Sequence, residues 1–110
     1  MTNRELSQLR WLEKELASDI HQMKELRRAD AAPKDLADLE ETIQAKRVQR
    51  RCELNRLRRY IDSVEDTQVR FIMTLRYIKG DSWAKVAASV GGGNTAETVR
   101  KRCMRYLQKN

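Results

Sequence analysis

From Leu6 to Leu26 apolar residues return every three or four positions, at Leu6, Leu9, Leu12, Leu16, Ile20, Met23 and Leu26, with Glu, Lys, Arg, Gln and Ala between them. A spacing that alternates three and four is the period of one helix face, and the intervening residues are strong helix formers. The segment therefore reads as one long amphipathic helix. Ala29-Asp30-Ala31-Ala32-Pro33-Lys34 contains the only proline of the chain. Proline disfavours helix in the residue before it and suits the first turn of a new helix, so a second helix starts here. Its stripe runs through Leu36, Leu39, Ile43, Val48, Leu54, Leu57 and Ile61. The pair predicts a coiled-coil-like helical hairpin over residues 1–61, with arms of about 25 residues, each ~37 Å long at ~1.5 Å per residue.

The second arm has an irregular seam. Lys46, Arg47, Arg50, Arg51, Arg56, Arg58 and Arg59 crowd its middle, and Arg47 and Arg50 fall where a strict heptad calls for apolar residues. Two readings stay open: a solvated face whose aliphatic stems lie over apolar neighbours, or a second surface for phosphates. Trp11 beside the first stripe fits either a solvent edge or a dimer anchor, and His21 reads as a helix-surface residue.

Residues 62–110 read as a three-helix domain. Ser63 and Asp66 mark a helix start, and Val69, Phe71, Ile72, Met73, Leu75 and Ile78 are apolar on more than one side, as expected of a buried central helix. Lys79-Gly80 closes it. Asp81 or Ser82 caps the next helix, in which Trp83, Val86, Ala87 and Val90 recur at i, i+3, i+4 and i+7. Gly91-Gly92-Gly93-Asn94 makes a corner, and Asn94 or Thr95 caps the last helix, Asn94 with Glu97 having capping-box spacing. That helix, Thr95 to Gln108, turns Ala96, Val99, Cys103, Tyr106 and Leu107 to one side. Arg100, Lys101, Arg102, Arg105 and Lys109 stand against a single Glu97. Two short helices at a tight corner, the second basic, form a helix-turn-helix, with Trp83, Val86, Ala87, Val90, Val99, Cys103 and Leu107 as its expected core. Trp83 reads as a core anchor rather than a base-stacking platform. The glycine run lacks the preceding strand and following Lys-Ser or Lys-Thr of a nucleotide-binding loop.

Charge supports a polyanionic partner. The chain has 23 Lys and Arg against 16 Asp and Glu, a formal net charge of +7. Residues 1–61 hold 14 basic and 11 acidic side chains, residues 62–110 hold 9 and 5. Aromatic residues make up only 5% and charged residues 35%, so an elongated helical protein or an oligomer is expected over one compact globule. Scarce aromatics also favour duplex DNA over single-stranded RNA, whose bases need stacking platforms. No apolar run approaches a membrane span and the N-terminus does not read as a signal peptide, so a soluble, cytoplasmic protein without membrane partners is expected. Cys52, Cys103 and His21 provide no metal-ligand spacing and no disulfide framework; both thiols read as packed, and no metal or cofactor is expected. No nucleophile with a neighbouring base and no carboxylate cluster points to an enzyme.

The stretch Arg70 to Ala87, above all Leu75-Arg76-Tyr77-Ile78-Lys79-Gly80-Asp81-Ser82-Trp83, followed by Thr95-Ala96-Glu97-Thr98-Val99-Arg100, resembles the promoter-reading C-terminal domain of sigma-70-type factors. The variant it is most similar to occurs in small phage-encoded regulators of the ArpU and RinA kind. The resemblance spans about the last 45 residues. It implies that Glu97 and Arg100 meet base edges in the major groove, with Lys101 close by. A carboxylate can accept from cytosine N4, and a guanidinium can pair bidentately with guanine. Arg102 departs from the family, which places an apolar residue there, and nothing upstream resembles the domains that melt promoters. A stand-alone regulator is therefore expected. The helical wheel independently sets Asn94, Glu97, Thr98, Lys101, Arg105 and Gln108 opposite Val99 and Cys103, with Arg100 and Arg102 on the flanks.

The combined expectation is a sequence-specific double-stranded DNA-binding transcription regulator. Its base-contact candidates are Asn94, Thr95, Glu97, Thr98, Arg100, Lys101 and Arg105. Lys85, Arg102 and Lys109 are candidates for phosphates. The hairpin would form a homodimer or touch RNA polymerase. Two other classes fit the same features: a phage DNA-packaging or recombination subunit, and a helical adaptor without specific DNA binding.

Overall fold

The computed structural model describes residues 1–109, which form five helices and, among these residues, no strand. They are α1 (Asn3–Arg28), α2 (Pro33–Asp62), α3 (Thr67–Met73, continued by a π-helical turn over Thr74–Ile78), α4 (Trp83–Val90) and α5 (Ala96–Lys109). The all-α class, the hairpin and the three following helices are those expected. No helix is long and apolar enough to cross a membrane among the described residues.

The two hairpin helices are joined as the proline implies. Asp30 takes a left-handed conformation (φ 52°), Ala31 donates its N–H to the Leu26 carbonyl at 3.0 Å, and Pro33 is the first residue of α2. A short polar side chain tolerates this conformation better than most, so Asp30 ends α1 where glycine or asparagine more often would. At 30 residues, α2 is longer than the expected arm.

Contacts divide the chain differently from the expected boundary at 61/62. One compact unit comprises Gln8–Glu53, and the other joins Met1–Ser7 to Leu54–Asn110. The reason is that Leu6, Leu57 and Ile61, at the ends of α1 and α2, are at most 3% exposed and belong to the same unit as the C-terminal helices. A domain of under 50 residues has a small core, and these hairpin residues enlarge it.

In the hairpin unit Leu16, Met23 and Ile43 form a buried cluster flanked by Ile20, Leu36 and Leu39. Val48, read as part of the stripe, is instead 55% exposed. Between Ile43 and Leu54, cations of α2 pair with acids of α1: Lys46 reaches Asp19 at 2.6 Å and Glu15 at 3.3 Å, and Arg50 reaches Glu13 at 2.5 Å. Asp19 and Glu15 hold the Lys46 ammonium above its usual range, chiefly through the Asp19 hydrogen bond. Acids on α1 thus fill the seam that the apolar pattern leaves open. Of the two arginines expected in the seam, Arg50 is exposed but pairs with Glu13, and Arg47 is exposed with no ion pair among the described residues. Cys52, expected to be packed, lies exposed on the outer side of α2, while Cys103 is buried.

The other unit is built around Val64, Val69, Ile72, Met73, Leu75, Tyr77, Val86, Ala87, Val99 and Cys103, all at most 6% exposed. Asp66 caps α3 by accepting from the Val69 N–H at 3.1 Å, whereas Ser63 donates to the Tyr60 carbonyl and so ends α2 rather than starting α3. Phe71, expected inside, is 46% exposed. In a helix with Val69, Ile72 and Met73 buried, position 71 is rotated away from their shared face. The buried aromatic is Tyr77, whose hydroxyl donates to Asn3 Oδ1 at 3.2 Å and lies 4.0 Å from Cys103 Sγ. Burial first, then the neighbouring thiol, raises the Tyr77 phenol well above its ordinary value.

Candidate nucleic-acid interface

The corner between α4 and α5 is set by backbone geometry. Ser82 caps α4 by accepting from the Lys85 N–H at 3.2 Å. Gly91 ends α4 at φ 72°, ψ −157°, a combination open essentially to glycine alone. Gly92 and Gly93 also have positive φ, at 64° and 77°. No neighbour lies within 4 Å of a side chain built at Gly91 or Gly93, so conformation rather than space selects glycine.

Three of the seven base-contact candidates build this corner. Asn94 Nδ2 donates to the Gly91 carbonyl at 2.7 Å. Thr95 caps α5: its Oγ1 accepts from the Thr98 N–H at 3.2 Å, while Thr98 Oγ1 accepts from the Thr95 N–H at 2.8 Å. This reciprocal pair is a capping box made by Thr95 and Thr98, in place of the expected Asn94 and Glu97. The alternative of Thr95 as cap is the one realised.

That leaves Glu97 free for other partners. Its carboxylate accepts from Arg100 through Nε at 3.1 Å and Nη2 at 2.5 Å, and Lys101 Nζ stands 3.8 Å away. Arg100 holds the Glu97 carboxyl below the usual carboxylate range, and the same pair raises the guanidinium. All three side chains are between 42% and 56% exposed. The cluster therefore presents two cations and one carboxylate at the start of α5, where a helix dipole favours negative charge.

Further along α5, Arg105 and Gln108 are exposed on the side away from Val99 and Cys103, which are 1% and 0% exposed. Arg105 has no ion pair among the described residues. Of the phosphate candidates, Lys109 is exposed, Lys85 stands 3.5 Å from Asp81, and Arg102 Nη2 donates to Asp66 Oδ2 at 3.0 Å. Arg102, expected to meet phosphates, is thus engaged within the fold. It ties α5 to the cap of α3. Asp66 is held below the ordinary carboxylate range, first by the Val69 N–H and then by Arg102. No local sequence signal links Arg102 to Asp66, because 36 residues separate the two side chains.

The helix-turn-helix core is only partly closed. Val86, Ala87, Val99 and Cys103 are buried, whereas Trp83, Val90 and Leu107 are half-buried. Trp83 is a packed edge rather than an interior anchor: the Arg76 guanidinium lies 4.5 Å from its ring centroid, and the Tyr77 ring meets it edge-on at 6.3 Å and 89°. Among the described residues no group of His, Cys, Asp and Glu could hold a metal ion. No family model, curated protein or solved structure matches the chain.

Proposed function

We propose that this chain is a sequence-specific double-stranded DNA-binding transcription regulator of phage or prophage origin that sets the start of α5 in the major groove. The observation that carries the reading is the two-sided character of α5. Val99 and Cys103 are wholly inside, while Lys101, Arg105, Gln108 and Lys109 face out beside the Glu97–Arg100 pair. Lys101 and Arg105 stand one helical turn apart and suit base edges or phosphates, and a helix start at a tight corner is the part that helix-turn-helix proteins insert. Glu97 supplies an acceptor for cytosine N4 once Arg100 turns to a guanine or a phosphate. The resemblance to sigma-70-type promoter readers supports regulation over packaging. The hairpin carries Trp11, 58% exposed, which favours a protein partner there, a second copy or RNA polymerase.

The test is selection from a random double-stranded DNA pool at about 150 mM salt, near physiological ionic strength, with the protein and with Glu97→Ala and Arg100→Ala variants. A defined motif that changes in the variants is expected. A folded protein that enriches no motif overturns sequence-specific reading and leaves the adaptor or packaging functions.

A further inference from the structure

Neighbouring cations on α2 have opposite fates. Lys46 and Arg50 are held by Asp19, Glu15 and Glu13 of α1. Arg47 and Arg51, each one residue further on, are exposed and have no ion pair among the described residues. Arg47 instead lines a groove between the two hairpin helices together with Lys24, Arg27 and Glu40, over a floor that includes Ile20, Met23 and Ile43. Arg51 follows Arg47 by one turn, and Lys24 and Arg27 are likewise a turn apart. Lys24 and Arg27 are exposed and, like the two arginines, unpaired among the described residues.

We infer that this groove, rimmed by Lys24, Arg27 and Arg47 with Arg51 beyond it, is a second binding site for the phosphates of duplex DNA, so that the hairpin and α5 each contact the nucleic acid. The inference rests on the DNA-binding reading above. Like charges one turn apart destabilise a helix. Here they hold nothing in the fold, whereas the cations beside them do. The three cations that line the groove, against the single carboxylate of Glu40, match a run of phosphates that Arg51 extends, and the apolar floor supports the aliphatic stems while the charged heads reach outward. No aromatic side chain lines the groove, so it offers no platform for unpaired bases, and contact to a duplex backbone is the chemistry that fits. Such a site adds affinity without reading sequence.

The experiment measures the salt dependence of binding to a duplex of random sequence, using the full chain and three paired substitutions whose helix content is checked by circular dichroism. These are Arg47→Gln with Arg51→Gln, Lys101→Gln with Arg105→Gln, and Lys14→Gln with Lys34→Gln, the last removing the same charge from hairpin positions outside the groove. Each phosphate contact adds about 0.9 to the slope of log K against log salt, so the Arg47/Arg51 pair should lower the slope by about 2. Between 50 and 200 mM salt its affinity should then fall about 12-fold less than that of the unaltered chain. The Lys14/Lys34 pair should leave the slope unchanged. An unchanged slope for the Arg47/Arg51 pair overturns the inference, as does an equal drop for the Lys14/Lys34 pair, which would reduce the effect to net charge. A drop for Lys101/Arg105 alone leaves the α5 reading standing without the groove. A drop for Arg47/Arg51 alone leaves the groove standing without α5. No duplex binding by the unaltered chain overturns both.

Discussion

Chemical labelling of Cys103 tests the register of α5, on which every assignment along that helix depends. The thiol is 0% exposed and 4.0 Å from the Tyr77 hydroxyl, and burial pushes it up to about 11. Thiolate is the reactive form. At pH 8 an ordinary thiol near 8.5 is roughly one-quarter ionised, whereas one at about 11 is ionised to only ~0.1%. The shift alone therefore lowers the thiolate population ~250-fold; the greater nucleophilicity of a more basic thiolate offsets part of that loss, and exclusion of the reagent adds to it. In a Cys52→Ser variant, a disulfide reagent such as DTNB should modify Cys103 at least ~10-fold more slowly than it modifies a free cysteine, and more slowly still because the thiol is buried. Denaturant should restore the full rate. In the unaltered chain the exposed Cys52 should react first and leave one protected thiol. Fast reaction of Cys103 in the folded protein would mean that α5 is rotated relative to the core. Lys101 and Arg105 would then not share an outward face, and the proposed interface would fall with the register.

Two further outcomes follow from the same unit. Trp83→Ala should cost less than the about 3–5 kcal/mol of truncating a fully buried aromatic, because its ring is half-buried; about 2 kcal/mol is expected by urea denaturation. Trp83→Phe should recover part of that loss through the edge contact with Tyr77, and global unfolding by Trp83→Ala would contradict the half-buried placement. Asp66 gives a pH dependence: its carboxyl lies below its ordinary value in the folded chain, so the folded form binds the proton less readily than the unfolded one. Its contribution is fully present above pH ~4 and is lost as pH falls through the depressed value. The melting temperature should drop on acidification below that point less in Asp66→Asn than in the unaltered chain, and parallel curves would refute the role.

Much of the fold was legible because helix signals are local. The three-or-four spacing of Leu9, Leu12, Leu16 and Met23 sets a buried face, Pro33 starts α2, and Ser82 and Gly91 bracket α4 through their own backbone requirements. The buried positions of α5, Val99 and Cys103, follow from the same periodicity. The misplacements share another cause. Phe71 and Val48 look like core residues on apolarity alone, yet which side of α2 or α3 faces inward depends on what the neighbouring helices supply. Tyr77 carries a hydroxyl that local reasoning has no cause to bury until Asn3, 74 residues away, provides its acceptor.

Charged residues separate the two levels most clearly. The order of residues by itself determined a basic, all-helical chain with two short helices at a glycine corner, since net charge, periodicity and capping chemistry need no knowledge of distant partners. Only the tertiary structure decided which cations are structural: Lys46 and Arg50 are held across the hairpin by Asp19, Glu15 and Glu13, and Arg102 by Asp66, while Arg47, Arg51 and Arg105 face outward unpaired among the described residues. The physical reason is range. A helix face is set by neighbours within a turn, but an ion pair forms only where the fold brings opposite charges within about 4 Å, and that distance is written nowhere along the chain.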